Sequence, residues 1–274
     1  MSLLTVVCAD KGSPGATTLA VLVAAAHPNR SILVEADPAG GDLTHRLFAG
    51  SGRTPPPGAN LLTLAGESRR GAHPQMLAAH AAMTPVGVPL VEGLGHDDQQ
   101  AGLAPLWGSL TAELVASEHD VIADLGRISS THPGLAVAVA AQAIVIVVRP
   151  LEEQLVRLPG RVRHLLAVAA GDASRLVVVV VSPDKAAQRD QRAASTVLAA
   201  AGLSAVRVLW FPFAPKELAA FYAAKPDRRG YLWRAAAGLA VELSAASGAL
   251  PETQFAASPA AKGNIAGERA WTTS

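Results

Sequence analysis

The sequence has few of the features that mark secreted or cofactor-cluster proteins. Among its 274 residues there is one cysteine, and aromatic residues make up only 4%. Because a lone cysteine cannot form an internal disulfide, Cys8 fits a reducing compartment and is expected to be a small core residue. One cysteine also cannot ligate an iron–sulfur cluster, which excludes that class of site.

Long hydrophobic runs and a strong charge of either sign are missing as well. The longest apolar runs, residues 143–148 and 176–181, are far shorter than the ~20 residues that span a bilayer, so no integral membrane segment is expected. The first apolar run has no basic residue before it, which predicts no secretory signal and a cytoplasmic protein. A net charge of +1 predicts no strong overall attraction to nucleic acid.

Hydrophobic residues, in contrast, are abundant. They make up 50% of the chain, against 16% charged residues, which is typical of a globular protein with a large core. Strand-like apolar runs alternate with helical periodicity along most of the chain. The pattern predicts a doubly wound α/β fold, with a mostly parallel sheet covered by helices on both faces. We expect one domain over residues 1–248 and a flexible tail over residues 249–274.

Four local assignments follow from the same patterns. Residues 60–64 are assigned to a short strand and residues 74–83 to a helix. Residues 151–169 are expected to form a helix that is broken at Pro159, because proline lacks the N–H that a helix interior needs. The strand at residues 121–123 is expected to end in Asp124.

A loop rich in glycine and proline separates the first strand, residues 3–9, from a helical run at residues 17–26. Strand, glycine loop and helix together form a concave anion site, because consecutive backbone N–H groups and the positive helix end point at one place. Gly12 and Gly15 would let the backbone approach a phosphate closely. The loop nearly matches a P-loop, but Ala16 stands where that motif has its phosphate-bridging lysine.

Two acidic residues are predicted to share an edge of the sheet with this loop. Asp37 and Asp124 each follow a predicted strand, and ligands of doubly wound sheets bind at the carboxyl ends of the strands. In phosphoryl transfer a hydroxyl and an acid hold Mg²⁺ while another acid can position the attacking water. The sequence therefore places the parts of a phosphoryl-transfer site together.

At these residues the chain resembles the MinD/ParA family of P-loop ATPases, which have a deviant Walker A motif and belong to the SIMIBI class. Residues 11–18 resemble that motif, residues 33–42 the switch I segment, and residues 119–126 the Walker B and switch II segment. Residues 206–216 are similar to the strand and loop on the adenine side. The resemblance implies a P-loop NTPase-like fold, ATP and Mg as cofactors, and a homodimer.

The resemblance also implies roles for individual residues. Lys11 would reach the phosphates of a partner protomer, and Thr18 would lie beside the α-phosphate. Thr17 and Asp124 would hold Mg²⁺, and Asp37 would position water for catalysis. The implied nucleotide-binding residues are Lys11, Gly12, Ser13, Pro14, Gly15, Ala16, Thr17, Thr18 and Pro212.

The chain departs from the family pattern on both sides of the nucleotide. A methyl group at Ala16 cannot stabilise the negative charge that gathers between the β- and γ-phosphates, so hydrolysis is expected to be impaired. Residues 182–184 stand where many relatives carry an asparagine that contacts adenine. Base recognition is therefore also expected to differ.

Two functional hypotheses follow. The first is a nucleotide-dependent dimerisation switch or scaffold that positions cellular machinery with a protein partner, as in division, partitioning or secretion. The second is an active, slow ATPase of ParA type that binds DNA non-specifically. Its DNA contacts would come from Arg157, Arg161, Arg163 and His164, although nearby acidic residues favour an ordinary solvated helix face. Glu35, Asp42 and Arg127 have possible roles too, but loop acids and surface arginines are usually solvated.

Overall fold

The computed structural model describes residues 2–12, 14–49, 51 and 60–246. Ser13 and the predicted tail at residues 249–274 lie outside the described residues. The described chain forms one sheet of eight strands in the order β3-β4-β2-β5-β1-β6-β7-β8. The strands are β1 (Leu4–Ala9), β2 (Ser31–Glu35), β3 (Ala82–Met83), β4 (Pro89–Val91), β5 (Asp120–Arg127), β6 (Ala143–Val148), β7 (Leu176–Ser182) and β8 (Arg207–Pro212).

All neighbouring strands in this sheet run parallel except β3, which pairs antiparallel to β4. Helices cover both faces of the sheet, so the predicted doubly wound α/β fold is confirmed. The helices are α1 (Ala16–Ala26), α2 (Leu43–Phe48), α3 (Leu61–Ser68), α4 (Met76–Ala79), α5 (Gln100–Leu103), α6 (Trp107–Ala116), α7 (Leu135–Ala140), α8 (Glu152–Val168), α9 (Ala187–Ala200), α10 (Pro215–Tyr222) and α11 (Tyr231–Ala246).

The central strands divide their side chains between two cores. In β1, Val6 and Cys8 pack on the face covered by α3 and α6 to α9, whereas Val7 and Ala9 pack on the face covered by α1, α2, α10 and α11. Alternating side chains are all buried because both faces are covered. Cys8 is fully buried, and burial raises the pKa of its thiol to about 12. It is a core residue, as predicted.

Two local assignments near the sheet edge are wrong. Residues 61–68 form the helix α3, because Asn60 and Thr63 make a reciprocal capping box that starts a helix. The Asn60 side chain accepts a hydrogen bond from the Thr63 N–H at 3.0 Å. The segment predicted as a helix at residues 74–83 contains only the short helix α4, and then β3 pairs with β4.

Two assignments around the centre of the chain also need correction. Helix α8 continues through Pro159, because Leu158, Val162 and Leu165 bury one face of the helix and outweigh the lost hydrogen bond. Strand β5 does not end at Asp124 but continues to Arg127. A bulge between Val7 and Ala9 in the pairing of β1 with β5 absorbs the extra length.

The carboxyl ends of the parallel strands β1, β2 and β5 lie next to one another. The phosphate loop follows β1 at the same end of these strands. None of the helices in the described ranges is long and apolar enough to cross a membrane.

Candidate functional site

The loop between β1 and α1 has the backbone that a phosphate site needs. Gly12 has φ +76° and Gly15 has φ +106°, values in the left-handed region where a side chain would strain the backbone. Gly15 is the N-cap of α1, and glycine has no side chain that could cap the helix. The first N–H groups of α1 therefore remain available for an anion.

The side chains of this loop point to different surroundings. Ala16 is only 6% exposed and its methyl group packs in the core below the loop. Lys11 is exposed and makes no hydrogen bond or ion pair with any other described residue. Thr17 and Thr18 are half-buried at the first turn of α1. The positive charge that belongs at residue 16 in a P-loop is thus replaced by a buried methyl group.

Asp124 is a buried acid with an unmet hydrogen-bonding need. It lies between Val7 and Glu35 in the register of the sheet and is 1% exposed. Its Oδ1 accepts a hydrogen bond from the Gly126 N–H at 3.0 Å, but Oδ2 has no hydrogen-bond partner among the described residues. Burial raises the pKa of Asp124 to about 6, although the neighbouring Thr17 hydroxyl lowers it. A bare buried carboxylate oxygen of this kind suits a cation or its bound water.

Asp37, in the loop after β2, lies beside Gly126 of β5. Its Oδ1 accepts the Ala39 N–H at 2.9 Å, and burial raises its pKa. Gly126 has φ +58°, and a Cβ there would overlap the Asp37 carboxylate. The absence of a side chain at residue 126 therefore lets Asp37 approach the backbone beside Asp124.

Glu35 is not the solvated acid that the sequence favours. It is 2% exposed and accepts the N–H groups of Asp42 and Leu43 at 3.0 Å and of Gly93 at 3.2 Å. A Cβ at Gly41 would overlap its carboxyl group. Burial raises the pKa of Glu35 to about 7. Glu35 thus ties the loop after β2, which carries Asp37 and Asp42, to the end of β4.

These acids line a cavity of about 380 Å³ on one side of the phosphate loop, which we call the acid side. The residues with charged or hydroxyl side chains that line it are Thr17, Glu35, Asp37, Asp42 and Asp124. Within the described ranges no three His, Cys, Asp or Glu side chains are grouped so as to hold a metal by themselves. Mg²⁺ needs only one or two protein ligands when phosphates and waters supply the others, so Thr17 and Asp124 fit it.

Arg46 in α2 places a positive charge near the acid side. Arg46 donates from Nη2 to the Tyr222 hydroxyl at 2.8 Å, and its charge lowers the pKa of Asp124. Tyr222 in turn lies beside the Thr18 hydroxyl, which lowers the tyrosine pKa against the larger effect of burial. Arg46 and Tyr222 are 176 residues apart in the chain, so no local sequence pattern could have paired them.

Helix α8 contacts the start of the phosphate loop through ion pairs with Asp10. The Asp10 carboxylate forms ion pairs with Arg157 at 2.7 Å and Arg161 at 2.6 Å. Burial acts to raise the pKa of Asp10, but these two arginines outweigh it and hold the pKa below its usual value. Arg127 donates to the Asp10 carbonyl at 3.1 Å, and Arg163 donates to the Ala201 carbonyl at 3.0 Å. The interpretation of this surface as simply solvated is therefore wrong for Arg161, whose side chain is 15% exposed.

A second cavity, of about 160 Å³, also borders the phosphate loop, at Pro14, Gly15 and Thr18, and we call it the base side. Most of its lining is apolar, including Pro14, Leu19, Phe211, Pro212, Phe213 and Leu232. The polar residues at the carboxyl end of β7, Ser182 and Asp184, have partners of their own. The Ser182 hydroxyl accepts the Trp210 indole N–H at 3.1 Å, and Asp184 accepts the Tyr231 hydroxyl at 2.6 Å.

Comparisons with known proteins find the fold but no close relative. No protein-family profile and no curated protein matches the sequence. A ParA family ATPase from Chlorobium tepidum TLS superposes with a TM-score of 0.68 at 17% identity, over 88% of this chain and 99% of that one. The septum site-determining protein MinD of Pyrococcus horikoshii OT3, complexed with Mg-ADP, gives 0.66 at 17% identity, over 89% and 96%.

A biosynthetic enzyme has the same fold. Cobyrinic acid a,c-diamide synthase from Mycobacterium smegmatis, with bound ADP and magnesium, superposes with a TM-score of 0.58 at 19% identity, over 88% of this chain and 93% of that one. At such identities the likeness establishes the fold that this chain shares with ParA and MinD ATPases, and function must be argued from the site.

Proposed function

We propose that this chain belongs to the MinD/ParA family and binds a nucleoside triphosphate with Mg²⁺ at the phosphate loop. It would act as a nucleotide-dependent dimerisation switch or scaffold that positions cellular machinery. The observation that carries the proposal is the unpartnered Oδ2 of buried Asp124, next to Thr17 at the start of α1. Leaving a buried carboxylate oxygen without a partner is costly, and a site that keeps one there has a use for it.

The residues present fit Mg²⁺. Thr17 and Asp124 would hold the ion, whose charge would neutralise the phosphate oxygens when it is bound. Asp37 would position a water molecule, because its carboxylate lies at the same cavity and, among the described residues, accepts a single hydrogen bond, from Ala39. Glu35 would keep Asp37 and Asp42 in place through the N–H groups that it binds.

Hydrolysis is proposed to be slow. A lysine at residue 16 would stabilise charge that develops in the transition state, and the buried methyl group of Ala16 cannot. Losing one such contact typically costs about 3 kcal/mol, or roughly a hundredfold in rate. Slow hydrolysis suits a switch or scaffold, because the nucleotide-bound state must persist while the protein acts.

Dimerisation is proposed from Lys11. Its exposed side chain has no partner within the described ranges, as expected of a group that reaches the phosphates of a second protomer. The proposed assembly is a homodimer in the cytoplasm with a protein partner from a positioning or secretion system. The DNA-binding alternative gains no support from α8, because Arg157 and Arg161 are paired with Asp10.

Calorimetric titration with ATP and Mg²⁺, together with light scattering, tests the proposal. We expect binding, a shift from monomer to dimer, and slow phosphate release. Thr17→Ala should abolish the contribution of Mg²⁺ to binding, whereas Thr131→Ala, at an exposed loop position, is the matched control. Absence of binding for every nucleoside triphosphate would contradict the proposal.

A further inference from the structure

We propose that the base side selects a purine with a 6-oxo group, guanine or hypoxanthine, over adenine, and that Arg149 determines this specificity. The inference rests on the proposed function, because it concerns the base of the nucleotide that the phosphate loop would bind. It differs from the expectation of ATP that the sequence resemblance implies.

Arg149 is held at the wall of the base side. It follows β6 directly, and its backbone N–H donates to the Gln154 side chain at 2.8 Å. Its guanidinium lies over the ring of Phe213, 5.0 Å from the ring centroid. Both residues line the same cavity as Gly15 and Thr18 of the phosphate loop. A nucleotide with its phosphates at that loop would therefore bring its base to Arg149.

The charged side chain that lines the cavity, Arg149, can only donate hydrogen bonds. A guanidinium carries five N–H donors and no acceptor, and that of Arg149 has no hydrogen-bond or ion-pair partner within the described ranges. The Thr18 hydroxyl, the other polar side-chain group of the lining, can donate or accept and already hydrogen-bonds with Tyr222. The Asp184 carboxylate, which could accept from an amino group, is bonded to Tyr231 and does not line the cavity.

The Arg149 guanidinium, which can only donate hydrogen bonds, discriminates between purines. Guanine and hypoxanthine present two adjacent acceptors, O6 and N7, which a guanidinium can bind with two parallel hydrogen bonds. Adenine presents N7 beside an amino group, so one donor of Arg149 would face another donor. The 2-amino group takes no part in this pairing, so inosine triphosphate should bind as guanosine triphosphate does.

The test is a calorimetric titration of the full chain, with Mg²⁺, against GTP, ITP and ATP. A bidentate pair of this kind discriminates by about tenfold, so GTP and ITP are expected to bind about tenfold more tightly than ATP. Arg149→Met should remove the preference. Arg149→Gln should reverse it, because glutamine pairs with the N6 and N7 groups of adenine. Arg192→Met, at an exposed position on α9, should leave all three affinities unchanged.

The outcomes separate this inference from the proposed function. Binding of ATP as tightly as GTP would overturn the base preference and leave the nucleotide switch intact. An equal loss of all three affinities in Arg149→Met would overturn it too, since Arg149 would then contact the phosphates. Binding of none of the three would overturn both proposals. Because the first comparison uses the unaltered protein, it does not depend on the folding of any variant.

Discussion

The two cavities beside the phosphate loop are built in opposite ways. The acid side holds carboxylates in fixed places through backbone N–H groups and through glycines that leave room for them. The base side is a lining of apolar side chains with one guanidinium over an aromatic ring. Backbone geometry is hard to change one residue at a time, whereas an apolar lining tolerates substitution. The acid side is thus the part of the site that is fixed by the fold, and the base side is the part that is free to vary.

The largest effect is expected from breaking the acid side at Gly126. Gly126→Ala would place a methyl group in the Asp37 carboxylate at a positive φ. We expect the free energy of unfolding to fall by about 2–4 kcal/mol and Mg²⁺-dependent nucleotide binding to be lost. Chemical denaturation and calorimetry measure the two effects.

Gly108→Ala is the control for this change, since a Cβ at Gly108 in α6 has nothing within 4 Å. That variant should be as stable as the parent or slightly more stable, because alanine favours helix. A Gly126→Ala protein with unchanged stability and binding would show that the acid side is not fixed by this contact.

The next effect is expected from restoring a positive charge at residue 16 of the phosphate loop. Ala16→Lys should raise phosphate release by about tenfold or more, because a lysine there stabilises the transition state. Ala16→Met carries a side chain of similar length without the charge and should not raise it. A steady-state phosphate assay compares the two, and equal rates would show that the acid side has lost more than one catalytic group.

A smaller effect, set by pH, is expected from Glu35. Its pKa is about 7 in the folded protein, against an ordinary 4.5, so the folded state favours the protonated form. Stability from this group is present in full below pH 4.5 and is lost as the pH rises through 7, which amounts to about 2 kcal/mol between pH 5 and 8. Glu35→Gln should reduce this loss in denaturation experiments at several pH values. An unchanged pH profile would place the titration elsewhere.

The smallest effect is expected where α2 and α10 meet the phosphate loop. Tyr222→Phe removes the hydroxyl that accepts from Arg46, and should cost about 1 kcal/mol of stability and weaken nucleotide binding a few-fold. Because the Arg46 guanidinium also lies over the ring, 4.5 Å from its centroid, the ring of phenylalanine keeps that contact. Tyr222→Leu removes both and should cost more. Equal losses in the two variants would assign the effect to the hydroxyl alone.

Features that depend on neighbouring residues could be predicted from the sequence, whereas features that depend on contacts between distant segments could not. The alternation of strands and helices, the glycine loop and the place of Asp37 and Asp124 are set by neighbouring residues, and the sequence predicted them. Helix α3 was missed because two side chains, Asn60 and Thr63, outweigh a short apolar run. The burial of Glu35 and the pairing of Arg46 with Tyr222 depend on segments far apart in the chain, which no local pattern encodes.

The most direct test of the account is the Mg²⁺ dependence of nucleotide binding in Asp124→Asn. In the parent protein, chelating Mg²⁺ should weaken binding of GTP by about tenfold or more. In the variant, Mg²⁺ should make no difference, while the unliganded protein should become more stable at pH 8, because a buried carboxylate with a pKa near 6 is replaced by a neutral group. Equal Mg²⁺ dependence in the two proteins would contradict the claim that Asp124 holds the ion.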